Sequence, residues 1–228
     1  MSLPIVFELC AETLEAALSA RPGGADRIEL CSTLDVGGLT PGHQFIEQAI
    51  HGSGLPVHVL LRPHADDFVY SASDFSSIST ELQHAHRLGA AGVVLGILSA
   101  DRTVDAARTR ALVQLAAPME VTFHRAFDEV PDFDRALEDV IATGCHRILT
   151  SGGAPDVLTG ADVLARLVTR AAGRIEIAAG GGLRLSNADE VRRRSGVRHF
   201  HSSLRSQDDG PPRLADRIRA MVDILHGA

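Results

Sequence analysis

Eight short apolar runs recur along the chain, and most of them are followed by a stretch with helical periodicity. The runs occupy residues 5–9, 27–30, 57–61, 92–95, 120–123, 147–149, 175–178 and 197–200. Strands that alternate with helices form repeated βαβ units and a parallel sheet. Eight such units are the number that closes a (β/α)8 barrel. We therefore predict an α/β fold with a single TIM-barrel domain over residues 1–228.

The basic residues exclude two classes of barrel enzyme. All 22 of them are arginine, and the chain contains no lysine. Schiff-base aldolases and enzymes with lysine-anchored pyridoxal phosphate need an amine that can lose its proton. The guanidinium group of arginine stays protonated and cannot replace that amine.

Charge and hydropathy limit the partners and the location. The formal net charge of −7 argues against nucleic acid as a ligand, because phosphates demand a basic surface. No apolar run approaches the roughly 20 residues that span a membrane, and residues 1–4 lead into the first strand without a basic leader segment. We expect a cytoplasmic protein with reduced cysteines. A homodimer or higher homo-oligomer is compatible with the sequence.

Two acid–cysteine pairs end the first two predicted strands. Glu8 and Cys10 are two residues apart, as are Glu29 and Cys31. Successive strand residues point to opposite faces, so these four side chains face the barrel axis if the intervening leucines face the helices. Two carboxylates on adjacent strands, about 5 Å apart, repel unless they are paired. We expect Arg62 and Arg125 to pair with them.

The remaining candidates for acid–base chemistry lie at the ends of strands five and eight. His124 is predicted to be a general base or metal ligand oriented by Asp128. A hydrogen-bonded structural histidine is the alternative, and the same choice applies to His201. The acids are open to two interpretations as well, either a structural ion-pair network or a general acid–base pair. The candidate catalytic residues are Glu8, Glu29, His124 and Asp128.

Glycine-rich turns follow strands six and seven. Glycine lets backbone N–H groups approach an anion closely, and barrels often bind phosphate in this region. Tight turns also use glycine for geometry alone, which is the alternative. The candidate substrate-binding or anion-binding residues are Arg62, Arg125, Ser151, Gly152, Gly153, Gly181, Gly182, His201 and Ser202.

The cysteines allow a metal site. Cys10 and Cys31 follow two neighbouring strands, and two soft thiolates suit Cu(I). Two ligands are an incomplete set for zinc, and buried thiols without a ligand are the alternative. Cys145 precedes strand six at the opposite end of the barrel and is predicted to be structural.

Several motifs resemble those of the CutC family, which is named for a proposed part in copper homeostasis. The matching stretches, which span the chain from about residue 5 to 205, are 24–31, 37–41, 62–63 with 67–68 and 70, 122–128, 148–153 and 201–203. The resemblance implies a cytoplasmic barrel and copper binding by Cys10 and Cys31. The loop of residues 63–73 departs from the family pattern, because His64-Ala65-Asp66 stands where Arg-Gly-Gly is usual.

Two functional hypotheses follow. In the first, the chain is a copper-binding protein with Cys10 and Cys31 as ligands. In the second, it is an enzyme for a small anionic metabolite, which is held by Arg62, Arg125 and the glycine turns. Whether the chain is an enzyme is left open by its residues.

Overall fold

Eight parallel strands close into a barrel, with each strand paired to its neighbours in chain order and β1 paired to β8. The computed structural model describes residues 4–205 and 213–227. The strands are β1 (Val6–Ala11), β2 (Arg27–Leu30), β3 (Val57–Leu60), β4 (Gly92–Leu95), β5 (Glu120–Phe123), β6 (Arg147–Thr150), β7 (Glu176–Gly180) and β8 (His199–Ser202). The predicted TIM barrel is confirmed.

The helices surround the barrel and alternate with the strands. They are α1 (Leu14–Gly23), α2 (His43–Ser53), α3 (Ala72–Leu88), α4 (Ala106–Ala116), α5 (Phe133–Thr143), α6 (Ala161–Ala171), α7 (Ala188–Ser195) and α8 (Leu214–His226). The apolar stripe near the end of the sequence predicts a last helix that begins at Pro212, a residue that lies outside the described ones. In the part of the chain that the structure describes, no helix combines the length and the apolar character needed to cross a bilayer.

The two faces of the strands bury different side chains. One face packs against the helices in the main apolar core, which includes Leu9, Ile28, Leu30, Val59, Val93, Leu95, Val121, Phe123, Ile148 and Phe200. The other face points into the barrel, where Cys10, Cys31, Leu60 and Val94 form a separate cluster. This period-2 division confirms that the leucines next to the cysteines face outward and the cysteines inward.

The inward positions in the lower barrel are charged rather than apolar. Glu8 accepts a hydrogen bond from Arg27, its register partner on β2. Arg147 donates to the Thr122 hydroxyl at 3.0 Å and to the Glu120 carboxylate at 3.1 Å. Buried charges persist when they are paired and hydrogen-bonded. A buried network therefore fills the barrel below its C-terminal mouth.

Candidate functional site

A pocket of about 900 Å³ opens at the C-terminal mouth of the barrel. Its size lies in the range of small-molecule sites. Among the residues predicted from sequence, those that line it are Cys10, Glu29, Cys31, Arg62, His124, Arg125, Asp128, Gly181, Gly182, His201 and Ser202. Four others are not among the lining residues, namely Glu8, Ser151, Gly152 and Gly153.

One side of the pocket, which we call the thiol half, consists of Cys10, Cys31, Glu29 and His201. The two Sγ atoms are 3.6 Å apart. Ligating atoms of Cys10, Glu29 and His201 all lie within 4.8 Å of one another. The sulfurs are buried, as are the carboxyl group of Glu29 and most of the His201 ring. Three groups able to bind a metal therefore meet at one place, and the thiol of Cys31 lies beside one of them, Cys10.

Burial and neighbouring charges alter the ionisation of this half. Burial raises the pKa of Glu29 to about 7, against the attraction of His201. The hydrogen bond with Cys31, and then burial, hold the pKa of the Cys10 thiol well above its usual range. Burial by itself would lower the pKa of His201, but Glu29 and Glu8 raise it. Cys10 is therefore a protonated thiol at neutral pH.

The expected pairing of Glu8 and Glu29 with Arg62 and Arg125 is wrong for both acids. Among the described residues, Arg125 pairs with Asp128 and Arg62 pairs with no carboxylate, while Oε2 of Glu29 lies 3.9 Å from Nδ1 of His201. Arg27 donates to the Glu8 carboxylate from the neighbouring strand, and His201 Nδ1 lies 2.8 Å from it. Burial would raise the pKa of Glu8, but Arg27 and then His201 hold it well below its ordinary value. The strands of a barrel are staggered, so Glu8 lies one layer below the mouth, beside Arg27.

The other side of the pocket, which we call the basic half, consists of Arg62, Phe68, His124, Arg125 and Asp128. The two Nη atoms of Arg62 donate to four backbone carbonyls, those of Val36, Gly38, Ala65 and Asp66. Its Nε is buried and has no hydrogen-bond partner in the described part of the chain. Across residues 4–205 and 213–227, no carboxylate lies within ion-pair distance of Arg62. Arg62 is therefore a buried cation with neutral partners only.

His124 is held by the backbone and not by Asp128. Its Nδ1 accepts a hydrogen bond from the N–H of Ala126 at 3.1 Å, which places the proton of the neutral ring on Nε2. That Nε2 is buried, and none of the described residues offers it a hydrogen-bond partner. Burial, and then Arg62 and Arg125, lower the pKa of His124 to about 3. The predicted orientation of His124 by Asp128 is corrected, since the ring is a neutral donor fixed by a turn.

Asp128 occupies the turn that was predicted to bind an anion. Its carboxylate accepts from the N–H groups of Ser151 at 3.0 Å and Gly153 at 3.1 Å, and from Nε of Arg125 at 2.8 Å. The N–H of Gly152 donates to the Thr150 hydroxyl. The expected anion site at Ser151, Gly152 and Gly153 is therefore corrected, because a carboxylate of the chain already takes these donors.

The second glycine turn borders the pocket for a steric reason. A Cβ at Gly181 would lie 2.9 Å from Cζ of Arg125, so glycine lets the guanidinium group lie against the backbone. Anion binding by the N–H groups of Gly181 and Gly182 stays a prediction. The Ser202 hydroxyl donates to the carbonyl of Leu183 at 2.8 Å, which fastens this turn to β8.

Sequence reasoning missed two arginines that shape the site. Arg27 is buried in the barrel beside Glu8. Arg205 lines the mouth and donates to Glu12 and Asp35, in each case at 2.8 Å. The polar residue in every second position of β2 is the signal that could have found Arg27, because an apolar–polar alternation continues into the strand.

The mouth motifs agree with the comparisons to known proteins. Residues 5–206 match the model of the CutC family. A CutC protein of Chromobacterium violaceum is 45% identical over 202 residues, which cover 89% of this chain and 82% of that protein. A CutC protein of Xanthomonas axonopodis pv. citri is 44% identical over 238 aligned residues, and the match covers 97% of this chain and 99% of that protein.

A solved structure gives the same result. A CutC protein of Streptococcus agalactiae, to which a role in copper homeostasis is provisionally attributed, superposes with a TM-score of 0.83 at 30% identity. The match covers 88% of this chain and 100% of that one. By its matched residues, its relatives and its barrel, the chain belongs to the CutC family.

Proposed function

We propose that the protein binds Cu(I) through Cys10 and Cys31 at the floor of the mouth pocket. The observation that carries this proposal is the 3.6 Å separation of the two Sγ atoms, which both face the pocket. Soft thiolate ligands select Cu(I) over harder cations. The role in copper homeostasis that is attributed to the Streptococcus agalactiae relative supports copper as the bound ion.

The surroundings of the sulfurs fit a soft ion. Leu60 and Val94 pack against both cysteines inside the barrel, and Leu34 covers them from the loop after β2. The loop comes close because Gly38 has no side chain, and a Cβ there would lie 2.8 Å from Leu60 and 3.3 Å from Cys31. An apolar lining of this kind keeps water from the sulfurs. Cys10, a thiol at neutral pH, would release its proton to solvent as the ion binds, so the affinity for Cu(I) rises with pH.

The neighbouring polar groups offer fewer ligands than the cluster first suggests. Nδ1 of His201 is engaged with Glu8 at 2.8 Å, and Glu29 supplies a hard oxygen ligand. Two thiolates and an engaged imidazole do not make the closed four-ligand set of a structural zinc site. The donor set therefore favours Cu(I) with the sulfurs as its principal ligands.

Competition titration with a Cu(I)-specific chelator tests the proposal on the wild type and on Cys10→Ser and Cys31→Ser. Each substitution is expected to weaken Cu(I) affinity by more than an order of magnitude, because one thiolate cannot form the paired site. The matched control is Cys145→Ser, since Cys145 is also buried but precedes β6 at the other end of the barrel. Equal Cu(I) affinities in all four proteins would show that Cys10 and Cys31 are not the ligands.

A further inference from the structure

The mouth pocket is much larger than a metal ion needs, and its charge is opposite in sign to that of the chain. The whole chain carries a formal charge of −7. The lining residues include five arginines and only three carboxyl groups. A concave site with an excess of one charge raises the local concentration of ligands of the opposite charge. The pocket therefore favours an anion.

Two buried groups of the basic half have donors without acceptors. Arg62 is 6% exposed, and its Nε–H has no partner among the residues that the structure describes. His124 is 5% exposed, and within the same residues its Nε2–H has none either. A buried donor without an acceptor costs free energy. Both residues line the pocket, so a ligand with acceptor oxygens would satisfy what the protein leaves unmatched.

The ring of Phe68 fixes the positions of these two groups. Its centroid is 4.9 Å from Cζ of Arg62 and 4.9 Å from the centroid of the His124 ring. Phe68 comes from the loop between β3 and α3. By excluding water it lowers the local dielectric, and electrostatic attraction inside the site becomes stronger.

Arg125 completes the basic half in a prearranged position. Its Nε donates to Asp128 at 2.8 Å and its Nη2 to the Ser151 hydroxyl at 3.3 Å. Among the described residues, Nη1 has no hydrogen-bond partner. A guanidinium group fixed before the ligand arrives loses little conformational entropy on binding, which increases affinity.

We propose that the basic half of the pocket binds a small organic anion, a carboxylate or a phosphate ester. Nη1 of Arg125 and Nε2–H of His124 donate to its oxygens, and the charge of Arg62 attracts it. The proposed ligand is held by other residues than the two sulfurs, and the proposal does not depend on copper.

Thermal unfolding of the full chain, followed by calorimetric titration, tests the proposal with pyruvate, glycerol 3-phosphate and inorganic phosphate as probes. The three probes distinguish a carboxylate, a phosphate ester and bare phosphate. We expect a saturable rise in Tm with at least one organic probe. Arg125→Gln should weaken its binding by about 10-fold to 100-fold, the range for a hydrogen bond to a charged group.

The matched control is Arg174→Gln. Arg174 is as exposed as Arg125, at 44% against 46%, and is paired with Glu138 on the outer surface. Its substitution should leave affinity within about twofold, because an exposed ion pair contributes little. His124→Asn retains an acceptor for the Ala126 N–H, removes the Nε2–H donor, and should weaken binding by about tenfold. No saturable rise with either organic probe, including the case in which inorganic phosphate alone binds, or equal losses in Arg125→Gln and Arg174→Gln, would overturn the proposal.

Discussion

The thiol half and the basic half lie at the same mouth, yet they balance charge in different ways. In the thiol half, His201 lies 2.8 Å from the Glu8 carboxylate in the layer below, which also pairs with Arg27. In the basic half, Arg62 donates hydrogen bonds to backbone carbonyls and has no carboxylate partner among the described residues. The thiol half therefore has a carboxylate beside its histidine, whereas Arg62 in the basic half has only neutral hydrogen-bond partners among the described residues.

Substitution of the layer beneath the thiol half has the largest expected effect. Glu8→Gln removes the charge that balances both Arg27 and His201, and Glu8 is only 2% exposed. We expect a loss of about 3–5 kcal/mol in the free energy of unfolding, as for other broken buried pairs. Urea denaturation measures it. The control is Glu138→Gln, because Glu138 forms an exposed pair with Arg174. Its free energy of unfolding should differ from that of the wild type by no more than about the experimental error. A similar small change in both variants would show that the lower network carries no stability.

The position of the His124 ring depends on a glycine of the loop after β4. A Cβ at Gly96 would overlap the imidazole at Nδ1 and Cε1. Gly96→Ala should lower the free energy of unfolding by about 1–3 kcal/mol, the usual cost of overpacking, and should weaken anion binding too. Gly42→Ala is the control, because nothing lies within 4 Å of its Cβ. Unchanged anion affinity in Gly96→Ala would show that the position of the His124 ring does not affect anion binding.

Acid should lower the free energy of unfolding of the protein through protonation of His124. The pKa of its imidazole is lowered from 6.5 to about 3, so the unfolded chain binds a proton between these values and the folded chain does not. The stability that the neutral ring contributes is complete above pH 6.5 and is lost as the pH falls below it. The slope is about 1.4 kcal/mol per pH unit.

Chemical denaturation at pH 7, 6, 5 and 4.5 measures this loss. His124→Asn should show a shallower acid limb than the wild type. His58, with a pKa lowered by burial to about 4, remains in both proteins and supplies a common background. Parallel curves would mean that His124 binds its proton as readily in the folded chain as in the unfolded chain. The ring would then not be held neutral by burial over this pH range.

The smallest effect is expected outside both halves. Arg192 and Arg193 pair with Asp189 on α7, and Arg194 pairs with Asp162 and Glu190. Arg193→Ala should leave stability and anion affinity within experimental error, because the guanidinium group is mostly in solvent. A loss of anion affinity in the titration would show that binding follows the overall count of arginines rather than the mouth geometry.

Most of the fold was predictable because its signals are local. Short apolar runs, turn residues and alternation between faces place the strands and direct Cys10 and Cys31 inward. By contrast, the local pair Thr40-Pro41 predicts a helix that Thr40 caps and Pro41 begins, and this prediction is wrong. The structure begins α2 at His43, and the Thr40 hydroxyl accepts from the N–H of Arg62 instead. A contact with a distant strand prevailed over a local capping preference.

By itself, the sequence determined the barrel, the end of it at which the polar residues gather, and the absence of lysine chemistry. These follow from periodicity and composition, which need no knowledge of distant contacts. Only the tertiary structure decided that Glu8 pairs with Arg27, that Asp128 fills the glycine turn, and that His124 presents a neutral donor. Each depends on the stagger between strands and on which donors remain free after folding, and both arise only when the barrel closes.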